Sequence, residues 1–279
     1  MDEPREPRSR AGSDQDAGDL LVPRRADIWA RRALFSAFAL ATIPYFQLLN
    51  RLEVHGGELL NQLPGRGVVL LANHQTYFAE AIAFFDLLYR RRRVAWEDPF
   101  LRFSAAEETM RKNVATSVLT KAGAVTFRRS HREGGTDLRR PVDLDGIGRI
   151  EQAIRSGWLL HFPTGTTRPG APIRPGVARL LHGVRPVVVP VRVDGFRELL
   201  LYKQIPGRIG RQLSIRIHEP MDLDQFYADP YTPEAGAQFV RRLAPWIEDP
   251  IAAQGALNEQ RSTSPDGSPE QAEAPGTGA

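Results

Sequence analysis

Short apolar runs alternate with longer amphipathic stretches along the middle of this chain, and this alternation predicts its elements. Strands are predicted for the apolar runs between turn residues, at 52–54, 68–74, 94–96, 124–127, 158–162, 186–193 and 213–218. Wholly or mostly helical structure is predicted for the stretches with helical spacing, at 77–93, 97–121, 147–155, 177–181 and 232–247. Strands that alternate with helices predict an α/β fold, with a sheet flanked by helices.

The most apolar stretch lies near the amino terminus, at residues 33–49, directly after Arg31 and Arg32. As a helix it would be about 25 Å long, and it falls short of the ~20 apolar residues that a spanning helix needs. Pro44 also favours a kink. We therefore predict that residues 23–50 form a membrane-associated helix in one leaflet, with the protein at the cytoplasmic face of the membrane. The alternative is a helix buried against the domain.

Polar segments flank this central part of the chain. Residues 1–22 and 251–279 are rich in charged and small residues and are predicted to be disordered tails. Residues 51–250 are then predicted as one folded domain, which is long enough to bury a substantial core. The chain has no cysteine, which excludes disulfides and thiolate metal sites.

The net charge of +4 conceals an uneven distribution along the chain. The two predicted tails hold 4 of the 37 basic and 10 of the 33 acidic residues, so residues 23–250 hold 33 basic and 23 acidic ones. This excess of positive charge suits an anionic partner, namely nucleic acid, a phospholipid surface or a phosphorylated substrate. The alternative is ordinary arginine usage, because only three lysines occur.

One histidine stands where catalytic groups are commonly found in α/β proteins. The apolar run that begins at Val68 ends at Asn73-His74, which places the imidazole at the carboxyl end of a predicted strand. Histidine titrates near neutral pH and can act there as a general base. The other interpretation is a loop histidine that caps the next helix.

Four further blocks follow that histidine in order. They are the Gly-led run 123–129, the run 159–168 that contains Phe-Pro-Thr-Gly-Thr, the basic-Pro-Gly helix start within 173–181, and the apolar run through a proline at 187–195. Together with Asn73-His74, these blocks resemble the motifs of the 1-acylglycerol-3-phosphate acyltransferase family. The resemblance covers about residues 50–220 and implies a mixed central sheet flanked by helices, with a membrane-associated helical element at the amino terminus.

The chain departs from the family pattern at two positions. The family has an acid five residues after the histidine, but here Ala79 occupies that place and Glu80 follows it. The family's third motif reads Phe-Pro-Glu-Gly-Thr-Arg, and this chain has Thr164 where the motif has glutamate. On a regular helix, six residues correspond to about 600°, so Glu80 would not face His74. A pairing of the two side chains therefore requires a non-helical turn after His74; otherwise Glu80 is a charge on the helix surface.

The resemblance assigns roles to residues at the matching positions. His74 is expected to be the catalytic base and Glu80 the acid that orients it. Thr164, Gly165 and Thr166 are expected to form a substrate-binding turn, because backbone N–H groups in such turns bind phosphates or oxyanions. The arginines at or near matching positions are expected to bind the substrate phosphate: Arg129, Arg168 (one residue beyond the family's third-motif arginine) and Arg174. For Arg168 and Arg174 a surface role is the alternative.

The resemblance implies an acyltransferase that moves a fatty acyl group to a glycerolipid hydroxyl. The expected donor is acyl-CoA or acyl-carrier protein, and the expected acceptor is a lysophospholipid, with lysophosphatidic acid as the default. No metal is expected, since the histidines lack metal-ligand spacing. No cofactor is expected, since the hydroxyl would attack the thioester directly. Nucleic acid is not an expected partner, because no recognition module accompanies the positive charge. The main alternative is a non-catalytic lipid-binding relative of the family, which the displaced acid and Thr164 favour.

Overall fold

The structure, a computed structural model, describes residues 33, 37, 40, 42–76, 78–91, 101–110, 123–128, 143–199 and 208–247. Within those residues the strands are β1 (Arg51–His55), β2 (Val68–Ala72), β3 (Leu101–Ala106), β4 (Ala124–Phe127), β5 (Trp158–His161), β6 (Val187–Asp194) and β7 (Gln212–Ile217). The helices are α1 (Ala79–Arg91), α2 (Glu107–Met110), α3 (Leu144–Ser156), α4 (Gly176–Val184), α5 (Asp224–Ala228) and α6 (Pro233–Ile247). A π-helical turn (Pro44–Leu49) and 3₁₀ turns (Gly57–Gln62, Phe196–Glu198) complete the described elements.

The strands form one mixed sheet in the order β1-β7-β6-β2-β5-β3-β4. Strands β6, β2, β5, β3 and β4 run parallel to one another, whereas β7 is antiparallel to β6 and β1 is parallel to β7. The carboxyl ends of the five parallel strands therefore meet at one edge of the sheet, called the carboxyl edge below. This architecture confirms the predicted mixed α/β fold.

Helices cover both faces of this sheet, as a buried parallel sheet requires. On one face strand residues Leu70, Phe103 and Trp158 share a buried apolar cluster with Phe84 of α1 and with the π-helical turn. On the other face strand residues Leu71 and Leu159 share a second cluster with residues of α3, α4 and α6, namely Ile154, Leu181 and Leu243. All five residues of β2 are buried, which explains why its sequence is continuously apolar instead of alternating.

The helix ends follow local signals in the sequence. Asp143 caps α3 by accepting a hydrogen bond from the Gly146 amide at 3.0 Å. Thr232 caps α6 by accepting one from the Ala235 amide at 3.1 Å, as its position before Pro233 predicts. Gly157 ends α3 one residue before β5 begins. Helix α6 begins within one residue of its predicted start at 232, whereas α3 begins three residues before its predicted start at 147.

The prediction for residues 97–121 is wrong in part, because Leu101–Ala106 forms β3 instead of a helix. This strand lies between β5 and β4, so both of its edges form backbone hydrogen bonds with neighbouring strands. Burial of Leu101 and Phe103 on one face adds packing energy, and such tertiary context overrides weak local preference. Helix α2 begins only at Glu107, and the predicted strand at 94–96 lies outside the described residues.

No helix among the described residues is long and apolar enough to cross a membrane. The predicted tails at 1–22 and 251–279 lie outside the described residues, as does most of the predicted helix at 23–50.

Candidate active site

Asn73 fixes the point where the chain leaves the sheet. Its side-chain amide donates to the Val193 carbonyl at 2.8 Å, and its side-chain oxygen accepts from the Val193 amide at 2.7 Å. The Asn73 side chain thus extends the hydrogen bonding between β2 and β6 by one residue, so the backbone at Asn73 can leave the sheet. His74 therefore lies just beyond the carboxyl end of β2, in the middle of the carboxyl edge.

The turn that follows His74 is built around the carboxylate of Glu80. One carboxylate oxygen, Oε1, accepts hydrogen bonds from the amides of Gln75 and Thr76, each at 2.5 Å. The other, Oε2, accepts from the hydroxyl of Thr76, which in turn accepts from the Ala79 amide at 3.0 Å. This is a reciprocal cap at the start of α1, in which the acid sits one residue later than in a standard capping box.

The turn brings Glu80 to His74 despite their unfavourable spacing for a helix. Residues 73–76 are non-helical, and the Nδ1 atom of His74 lies 3.6 Å from Oε1 of Glu80. This separation is within ion-pair range but longer than a hydrogen bond. Nδ1 is buried and has no hydrogen-bond partner among the described residues, and Glu80 is fully buried. The non-helical turn that the pairing requires is thus present, with Nδ1 directed at the carboxylate.

The environment of Glu80 keeps its carboxylate ionised. Burial alone would raise the pKa of this group, because desolvation disfavours its charge. The adjacent His74 ring and the hydrogen bonds from Thr76 and the backbone outweigh that cost, so that the pKa lies below its ordinary value. A carboxylate held in this state stabilises a positive charge that forms on the neighbouring imidazole.

The ring of Phe162 supports the imidazole from one side. The two ring centroids are 4.1 Å apart and the ring planes are inclined by 20°, so the rings are stacked. Phe162 follows β5, the neighbour of β2 in the sheet, and is buried. Stacking on Phe162 and contact with Glu80 together orient the His74 ring, which is 14% exposed at its side chain.

The substrate-binding turn predicted at Thr164–Thr166 begins two residues after Phe162. The Gly165 amide donates to the Phe162 carbonyl at 3.0 Å and Gly165 has φ of +66°, a conformation that favours glycine. The Thr164 hydroxyl donates to the Thr166 carbonyl at 3.0 Å. In the described part of the chain, the amides of Thr164 and Thr166 donate no hydrogen bond. The turn therefore has two N–H groups available to an oxyanion or a phosphate, but the Gly165 amide is already used.

The predicted arginines are placed differently from one another. Arg174 braces the turn, because its Nε donates to the Thr164 carbonyl at 3.3 Å and its amide donates to the Pro163 carbonyl at 2.9 Å. Arg168 is exposed, and only its amide contacts the turn, through the Thr166 hydroxyl at 3.3 Å. Arg129 lies outside the described residues. The structure thus brings His74, Glu80 and the 164–166 turn to one edge, whereas the binding roles of the arginines stay predictions.

Residues to which the sequence analysis assigned no role complete the site. Asn73 and Thr76 carry a weak local signal, since both are common at caps and turns around a helix start. Arg197 carries no local signal, yet its amide donates to the Gln75 side-chain oxygen at 3.2 Å and its Nη1 donates to the Thr167 carbonyl at 2.9 Å. Its contacts cross the site and can be recognised only in three dimensions.

A second histidine near the carboxyl edge has a different character. His161, the last residue of β5, is buried on the opposite sheet face from the Phe162 ring, and its Nδ1 lies 2.8 Å from the Ser104 hydroxyl. Burial lowers the pKa of His161 to about 4 from 6.5, so this ring is neutral at physiological pH. No cluster of three or more metal-ligating side chains occurs in the part of the chain that the structure describes.

Comparisons with known proteins agree with this geometry. A family model described as Acyltransferase matches residues 51–194, whereas no curated protein matches the chain. The crystal structure of the 1-acyl-sn-glycerophosphate (LPA) acyltransferase PlsC from Thermotoga maritima is similar in fold, with a TM-score of 0.52 and 16% identity. That match covers 88% of this chain and 89% of the PlsC chain. Since the family model spans more than half of the 279 residues and the five motif blocks fall in the expected order, the chain belongs to the Acyltransferase family, and the predicted family membership is confirmed.

Proposed function

We propose that this protein transfers a fatty acyl group from the thioester of acyl-CoA or acyl-carrier protein to the hydroxyl of a lysophospholipid. Lysophosphatidic acid is the default acceptor, and His74 is the general base. The observation that carries the proposal is the contact between His74 Nδ1 and the buried, ionised Glu80, at 3.6 Å. This contact leaves the opposite ring nitrogen, Nε2, as the atom that would face a substrate hydroxyl.

In the proposed reaction the acceptor oxygen attacks the thioester carbonyl carbon while Nε2 of His74 takes the hydroxyl proton. A tetrahedral oxyanion forms, for which the free amides of Thr164 and Thr166 are the candidate donors. Collapse of this intermediate breaks the carbon–sulfur bond, and the imidazolium returns its proton to the leaving thiolate. The products are the acylated lipid and the free thiol of the donor.

Glu80 would serve this reaction through His74. An imidazolium next to a buried carboxylate is stabilised at the moment when it carries the proton, and the same carboxylate orients the ring. The hydrogen bonds that hold Glu80 come from the turn itself, so the acid is preorganised before substrate binds. The position of the acid one residue late is thus compatible with the proposed role of the pair.

The proposal is tested with purified protein, a labelled acyl thioester and a panel of lysolipids. General-base catalysis contributes about 10²–10⁴-fold, so His74→Ala is expected to lose most of the transfer activity. Glu80→Gln is expected to lose less, and the double variant is expected to resemble His74→Ala, because the two residues act as one unit. His55→Ala, at the exposed end of β1, is the matched control and is expected to keep wild-type activity.

Two results would contradict the catalytic assignment. One is a His74→Ala variant that transfers acyl groups at the wild-type rate. The other is a wild-type protein that is inactive with every thioester and lysolipid while it still binds lysolipid. In that case the non-catalytic lipid-binding relative is the better description, and Glu80 is a structural cap of α1.

A shifted-acid variant tests the spacing directly. Ala79→Asp combined with Glu80→Ala moves the acid to the place where the family pattern has it. Because the Thr76 hydroxyl already contacts the Ala79 amide, an acid at 79 can complete a standard capping box, and some transfer activity is expected to remain. Complete loss in a variant that folds would show that this turn accepts only the observed spacing.

We also propose that the protein attaches to the cytoplasmic face of a membrane through residues 23–50. Several large apolar side chains at the end of that segment and beside it are exposed in the described part of the chain: Leu40 (64%), Leu48 (81%), Leu49 (48%) and Ile209 (60%). The Gly210 amide donates to the Leu49 carbonyl at 2.6 Å, so Ile209 lies beside this segment. Deletion of residues 1–50 is expected to move the protein from sedimenting membranes to the supernatant, and an unchanged distribution would refute the attachment.

A further inference from the structure

The position of Arg197 follows from the end of β6. Gly195, with φ of +82°, turns the chain sharply after β6, and the buried ring of Phe196 anchors the 3₁₀ turn Phe196–Glu198. The Arg197 amide donates to the side chain of Gln75, in the loop that holds His74, at 3.2 Å. The backbone of Arg197 is therefore fixed against the candidate active site.

The side chain of Arg197 then crosses the carboxyl edge. In the sheet, β6 and β5 are both neighbours of β2, so they lie on opposite sides of the strand that ends at His74. Neighbouring strands are about 4.8 Å apart, which places the ends of β6 and β5 roughly 10 Å from each other. Arg197 spans this gap, because its Nη1 donates to the Thr167 carbonyl, in the loop after β5, at 2.9 Å.

The charge of Arg197 is available in the site. The side chain is exposed, and among the side chains that the structure describes no carboxylate lies within 4 Å of its guanidinium. A guanidinium has five N–H donors, and the Thr167 carbonyl takes one of them. The remaining donors include a planar pair of the kind that binds phosphate oxygens bidentately.

The family motif has an arginine beside the point that the Arg197 side chain reaches. The family's third motif ends in arginine at the position where this chain has Thr167, and Arg168 is shifted by one residue and is exposed. The guanidinium of Arg197 contacts the Thr167 carbonyl. A positive charge is therefore present beside position 167, where the family motif has arginine and this chain has threonine.

We propose that Arg197 is a headgroup-binding residue that recognises the phosphomonoester of an acylated glycerol 3-phosphate acceptor. This inference rests on the proposed acyl transfer for its acceptor, and it deepens that proposal by naming a residue that selects phosphate-bearing acceptors. The backbone of Arg197 positions the charge, and its contacts to Gln75 and Thr167 keep the loops after β2 and β5 at a fixed separation.

The experiment compares binding of two ligands with the same acyl chain, lysophosphatidic acid and phosphate-free monoacylglycerol, in the absence of a donor. Arg197→Gln is expected to weaken binding of lysophosphatidic acid by about tenfold to a hundredfold and to change binding of monoacylglycerol by less than about twofold. Arg197→Lys keeps the charge but loses the planar pair, so an intermediate loss is expected. Arg155→Gln, an exposed arginine at the end of α3 near the opposite edge of the sheet, is the matched control.

Ligand binding tests the role of Arg197, whereas turnover tests the proposed acyl transfer, so the two can fail independently. A loss of selectivity in Arg197→Gln supports the inference whether or not the wild type transfers acyl groups, whereas an inactive wild type that still binds lysophosphatidic acid overturns only the acyl transfer. Equal weakening of both ligands would mean that Arg197 is only a brace between two loops. That result, unchanged binding of both ligands, or a wild type with no preference for the phosphate-bearing ligand would overturn the inference.

Discussion

Replacement of His161 is expected to make the free energy of unfolding less dependent on pH under acidic conditions. In the folded protein burial lowers the pKa of His161 to about 4, whereas its ordinary value is 6.5. Between these two pH values the unfolded chain binds a proton at this residue that the folded protein does not bind. The free energy of unfolding therefore decreases as the pH falls from about 6.5 to about 4, and this contribution is fully present only above that window.

The size of the effect follows from the shift itself. One pKa unit corresponds to about 1.4 kcal/mol, so the shift of His161 accounts for a loss of about 3 kcal/mol across the window. In His161→Gln the side-chain amide can keep a hydrogen bond to Ser104 but does not titrate, and that loss is expected to disappear. The substitution removes no other titratable group, so the difference between the two curves isolates His161.

The assay is urea unfolding at constant ionic strength, at closely spaced pH values from 4 to 7. Ser104→Ala serves as the matched control, because it removes the hydrogen bond at 2.8 Å and leaves the buried, titrating ring in place. This control is expected to be less stable than the wild type by about 1 kcal/mol while it keeps the steep pH dependence. Parallel curves for the wild type and His161→Gln would refute the reasoning.

Three further predictions concern residues that stabilise the fold. Asn73→Ala leaves the buried amide and carbonyl of Val193 unpaired, so a loss of roughly 1–3 kcal/mol per group and a lower kcat are expected from urea unfolding and transfer assays. In Gly195→Ala a Cβ would lie 2.2 Å from the Gln212 carbonyl oxygen at φ of +82°, and a thermal melt is expected to show a loss of at least about 1–3 kcal/mol. Thr232→Ala removes the cap of α6 and is expected to cost about 0.5–2 kcal/mol with no change in transfer activity, so an inactive but stable variant would contradict this picture.

The sequence by itself determined most of the elements around the site. The continuous apolar run of β2 and the caps of α3 and α6 are local signals, and the observed boundaries lie within a few residues of the predicted ones. His74 could be recognised because a strand that ends in Asn-His places a titratable group at the end of a sheet. The order of the motif blocks was sufficient to indicate the family, which the Acyltransferase match then confirmed.

Only the tertiary structure decided how these parts meet. Glu80 approaches His74 because the chain stays non-helical after β2, and Asn73 holds that departure point through Val193, which is 120 residues away in the sequence. Strand β3 forms where helix was predicted, because neighbours on both sides satisfy its backbone. Arg197 reaches Thr167 only because β5 and β6 flank β2 in the sheet. Hydrogen bonds between residues far apart in sequence leave no periodicity or spacing in the chain, so the fold had to bring them together before they could be recognised.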